Sequence, residues 1–70
     1  MEPHAHFAAN LRSRRLEKGL SQEALGQAAG LHMTEVSRLE RAEREPRLGT
    51  IVKLARALGV APADLLAGIR

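Results

Sequence analysis

Apolar residues recur along this chain in short bursts at helical spacing, and no stretch alternates as a strand would. Ile51, Leu54, Ala55 and Leu58 make the cleanest stripe, predicting a helix over about 49–58 that stops at Gly59. Phe7, Leu11 and Arg15 stand four residues apart and share one face of a helix from about His6 to Lys18, closed by Gly19. Leu16 falls off that stripe. Ser21 can cap a second helix, with Glu23 in its first turn, Leu25, Ala28 and Ala29 facing inward, and Gly30 at its end. A third spans about Met33 to Arg41 with Val36 and Leu39 inward, although His32 is a poor residue to cap its start. The polar loop "EREPR" follows. Pro62 suits the first turn of a fifth helix, "PADLLAGI". Residues 1–5, "MEPHA", lack pattern and predict a flexible arm, which leaves 6–70 as one domain.

The joint between the second and third helices stands out. It is about three residues long and holds Gly30, which tolerates positive φ, so the two helices should meet at a steep angle. The residue at such a crossing must be small. Gly26 meets that need, at a cost of ~1 kcal/mol in a helix interior.

Composition narrows the class. Seventy residues make one small domain. The absence of cysteine excludes disulfides and thiolate metal sites and suits a reducing cytoplasm. No run approaches the ~20 apolar residues of a membrane span, and no signal-like apolar core is expected at the start. A single Phe gives no stacking platform for single-stranded nucleic acid. The formal charge of +3 favours an anionic partner. His4 and His6 have no carboxylate or cysteine cluster beside them, so no metal site is expected, and neither cofactor nor effector pocket is evident. No nucleophile pairs with a base by spacing, which argues against an enzyme.

Two charges are misplaced on this pattern. Glu40 shares a face with Val36 and Leu39, and Arg15 shares one with Phe7 and Leu11. Either charge alone would be costly in a small core. The simplest resolution is that they meet as a bidentate pair; the alternative is two exposed charges without partners.

The stretch "GLSQEALGQAAGLHMTEVSRLERAEREPRLGTIVKLARALGVAPADLL" resembles the Cro and phage-repressor helix-turn-helix family, the XRE group, over residues 7 to about 68. Gly19-Leu20-Ser21-Gln22, the Gly30-Leu31 turn, Ser37-Arg38-Leu39-Glu40, Pro46 and "KLARALGV" stand in that family's order. "AGLHMTEVS" also looks like the small free-standing controller proteins of restriction–modification systems. The chain departs from the usual pattern at Gly26 (usually Ala), His32 (Ser or Thr), Ala42 (Gly) and Ala61 (often Ser).

The resemblance implies an all-α, compact five-helix lambda-repressor-like domain with its helix-turn-helix at the second and third helices, and the same Arg15–Glu40 pair. It also implies a sequence-specific regulator of transcription, cytoplasmic and associated with the nucleoid, that binds double-stranded DNA with the third helix in the major groove. Met33, Thr34, Ser37 and Arg38 then stand as base-reading residues, and Glu35 as one that accepts from cytosine or repels wrong sites. Gln22, Arg41 and Arg44 are the candidates for phosphate contact, with Arg12, Arg14 and Arg47 behind them. One such module buries little DNA surface, so a homodimer on a pseudo-palindrome is expected, joined through Leu65, Leu66 and Ile69 of the C-terminal helix. A module that masks a partner protein, such as an antitoxin, is the competing reading. It would place apolar residues where Thr34, Arg38 and Arg41 lie.

Overall fold

A computed structural model describes residues 1–70 as five helices joined by turns: α1 Pro3–Glu17, α2 Gln22–Ala29, α3 Met33–Glu40, α4 Leu48–Leu58 and α5 Pro62–Leu65. Their inward stripes converge on one core of Phe7, Leu11, Leu25, Ala29, Val36, Leu39, Ile51, Leu54, Ala55, Leu58 and Leu65. No helix is long and apolar enough to cross a membrane. The helices run from about one turn in α5 to about four in α1, too short to be stable alone, so they hold one another.

The structure differs from the pattern-based expectation at several edges. The flexible arm is corrected: α1 starts at Pro3, and only Met1 and Glu2 precede it. Proline at the first helical position has no N–H to lose and a pre-set φ, and the Glu2 carbonyl accepts from the amides of Ala5 (2.9 Å) and His6 (3.2 Å). In α2 the buried positions are Leu25, Gly26 and Ala29, while Ala28 faces solvent. Leu16 is exposed, as its place off the stripe requires.

α5 is shorter than expected, ending at Leu65 rather than near Ile69. Gly68 adopts φ +85°, and the Asn10 side-chain amide donates to the carbonyls of Leu65 (3.0 Å) and Ala67 (2.8 Å). That amide satisfies groups a continued helix would have bonded itself, and ties the C-terminal segment across α1. At the other end of α5, Ala61 cannot cap, but Asp64 Oδ2 accepts from the Ala61 amide at 2.9 Å, which supplies half of a capping box.

Candidate nucleic-acid interface

The geometry of α2 and α3 follows from how their ends are closed. Ser21 Oγ accepts from the Ala24 amide at 3.0 Å and starts α2. Gly30 ends it in the left-handed region at φ 73°, and the Leu31 amide returns to the Gly26 carbonyl at 2.8 Å. The joint packs so closely that a Cβ on Gly26 would lie 2.7 Å from the Leu31 carbonyl oxygen and 3.4 Å from the Met33 amide. α3 then starts on a cap not foreseen: His32 Nδ1 accepts from the Thr34 amide at 3.1 Å. A neutral imidazole can do what Ser or Thr does, because one of its ring nitrogens keeps a lone pair.

Beneath this joint the Arg15 guanidinium and the Glu40 carboxylate meet as a fork, Nε to Oε2 at 2.6 Å and Nη2 to Oε1 at 2.9 Å. Their side chains are 9% and 2% exposed. Arg15 Nη1 donates to the Leu20 carbonyl at 2.8 Å, and Gln22 Nε2 donates to Glu40 Oε1 at 3.2 Å. The hydrogen bond to Glu40 holds the Arg15 pKa above its ordinary value; burial opposes this, and the Coulombic attraction of Glu40 adds to it. No buried side-chain nitrogen or oxygen lacks a partner. One carboxylate thus ties α1, the first residue of α2 and the last residue of α3 into a fixed frame.

With Glu40 turned inward, the opposite face of α3 is set. Met33 (48% exposed), Thr34 and Arg38 face solvent, and Glu35 and Ser37 are half-buried. Arg38 makes no ion pair, whereas Arg41 is held by Glu43, Nε to Oε2 at 3.1 Å and Nη2 to Oε1 at 3.2 Å. Arg41 caps α3 rather than extending it. The helix closes with the Ala42 amide on the Leu39 carbonyl (3.2 Å) and the Glu43 amide on the Arg38 carbonyl (3.0 Å), a Schellman arrangement.

That closure puts Ala42 at φ 59°, a conformation that strains an L side chain. Ala42→Gly is expected to stabilise the domain by about 0.5–1 kcal/mol, after allowing for glycine's greater freedom when unfolded. A thermal melt should show a rise of roughly 4 °C. An unchanged or lower Tm would mean that the turn carries no strain.

A cleft of about 370 Å³ beside α3 is lined by Leu31, Glu35, Arg44, Glu45, Arg47, Thr50 and Lys53. It gathers three cations from the loop and the outer face of α4. Pattern reading missed Thr50 and Lys53, yet a signal existed: Arg47, Thr50 and Lys53 recur every three residues around the start of α4.

The expected dimer surface needs one correction. Leu65 is 0% exposed and belongs to the core, because the short α5 turns it onto α1 and α4. Leu66 (38% exposed) and the half-buried Ile69 remain, lining a groove of about 220 Å³ with Phe7, Pro46 and Ile51 that His4 and Glu45 also border.

The sequence pattern described as Helix-turn-helix matches residues 11–65, which include α2, α3 and the joint between them. The chain belongs to the helix-turn-helix family. Control protein C.SmaI of Serratia marcescens is 44% identical over 60 residues, spanning 86% of this chain and 71% of that protein. The crystal structure of the restriction-modification controller protein C.AhdI from Aeromonas hydrophila superposes with a TM-score of 0.86 at 42% identity, covering 89% of this chain and 94% of that one. The P22 c2 repressor, solved in complex with a synthetic operator, superposes with a TM-score of 0.81 at 34% identity, covering 89% and 94% of the two chains. As a member of this family, the protein is a DNA-binding regulator of transcription.

Proposed function

We propose that this helix-turn-helix protein binds a pseudo-palindromic operator as a homodimer, with α3 of each protomer in the major groove. The observation that carries this reading is the outward face of α3. Thr34 and Arg38 are exposed at four-residue spacing, and Glu35 of the same helix lines the cleft that gathers Arg44, Arg47 and Lys53 with Glu45. Arg38 can donate twice to guanine, Thr34 can bond a base edge or touch a thymine methyl, and Met33 and Ser37 extend the contact. Arg44, Arg47 and Lys53 reach phosphates on the flank. Arg41 joins them by exchanging Glu43 for a phosphate oxygen. Gln22 braces α3 through Glu40 and lies at the start of α2, where helix amides also favour a phosphate.

The operator complex of the P22 c2 repressor supports this docking mode, and the groove lined by Leu66 and Ile69 supports a second protomer. Selection of bound sequences from a random duplex pool tests both parts. The expected winners are inverted repeats with half-sites about one helical turn apart. Binding to them should weaken with salt, with a log–log slope of about −7 for four phosphate-bound cations in each protomer. Winners without inverted symmetry would remove the dimer, and a slope near zero would remove the phosphate contacts.

A further inference from the structure

His32 is the residue that begins α3, and it does so through a lone pair. Its Nδ1 accepts from the Thr34 amide at 3.1 Å, and Thr34 is the first outward polar residue of the reading face. An imidazolium carries hydrogen on both ring nitrogens and cannot accept that bond. Histidine ordinarily exchanges this proton between roughly pH 5 and 8. A cation at the start of a helix also opposes the positive end of the helix dipole. Proton uptake therefore removes the cap and adds a like charge at the same place.

We propose that His32 is a positioning residue for α3: its neutral ring holds the Thr34 amide, and protonation releases the first turn and weakens operator binding in mild acid. The binding part rests on the DNA-reading role of α3; the capping part stands without it. The charged group that lines the same open cleft as the ring is Glu23 of α2; Glu35 stands in the first turn of α3, lining a separate cleft. The other cleft residues, Gln27, Leu31 and Met33, are uncharged. A carboxylate there acts on the ring only across solvent-open space, where screening keeps its effect small, whereas the capping bond is in direct contact.

Thermal unfolding and operator affinity of the full chain test this, comparing wild type with His32→Asn, which caps without titrating, and with His32→Ala, which does not cap. At about pH 8 the wild type and His32→Asn should agree, while His32→Ala binds about fivefold more weakly and melts roughly 4–8 °C lower. At about pH 5.5 the wild type should fall relative to His32→Asn by the same amounts and join His32→Ala. The three proteins differ only at position 32, so the ratio to His32→Asn isolates that residue. A ratio that stays constant between the two pH values overturns the proposal, as does a wild type that gains on His32→Asn in acid. If no duplex binds any of the three proteins, the DNA reading fails instead, and the melting curves alone decide the role of His32.

Discussion

Glu40→Ala is expected to lose about 3–5 kcal/mol of stability and to melt far below the wild type. A domain of this length holds on the order of 5–10 kcal/mol in total, so the loss takes a large part of it. The cause is less the ion pair itself than what its rupture strands. Arg15 keeps only its bond to the Leu20 carbonyl, and its Nε and Nη2 donors are left buried without acceptors. Gln22 loses its acceptor as well. The double variant Arg15→Met with Glu40→Leu separates the two causes, since replacing both charges with apolar groups of similar size removes the stranded charge. It should recover most of the loss, with circular dichroism melts as the measurement. A Glu40→Ala protein that melts with the wild type would show that the pair carries no such role.

Arg38→Ala should leave the melt unchanged and lower operator affinity by about 1–3 kcal/mol, that is, roughly five- to more than a hundredfold. The two effects are separable because the Arg38 side chain is exposed and makes no ion pair; only its carbonyl, which any residue supplies, takes part in closing α3. The loss should be uneven across sequences: sites with guanine at the contacted position lose most, so preference there relaxes. Arg44→Ala should instead weaken all duplexes alike and flatten the salt dependence by about one contact. An Arg38→Ala protein that selects the same motif with the same stringency would remove Arg38 from base reading.

The sequence showed some parts of this molecule well and others poorly, for physical reasons. The stripe of α4 was plain because every buried residue there falls on one helical face. Arg15 and Glu40 announced themselves by standing where charges are costly, a signal that needs no structure to read. Gly26 was legible from the tight joint, but Ala28 was harder: it suits an inner face as well, and only the packing at Gly26 against the Leu31 carbonyl turns it outward. Leu65 and Leu66 are adjacent and chemically alike, so the end of α5 alone determines which enters the core. That end is set by Asn10, more than fifty residues away in the chain. His32 was read as a missing cap because capping preference is an average over side chains, whereas the structure depends on one ring nitrogen and its proton.

The division of labour on α3 has a practical consequence. Val36, Leu39 and Glu40 anchor the helix from below, while Thr34 and Arg38 point away from that work. If Thr34 and Arg38 read the bases as proposed, retargeting the protein to a new site is a matter of rewriting two or three letters on a finished scaffold. Libraries varied at those positions should return mostly folded members that differ in which address they read.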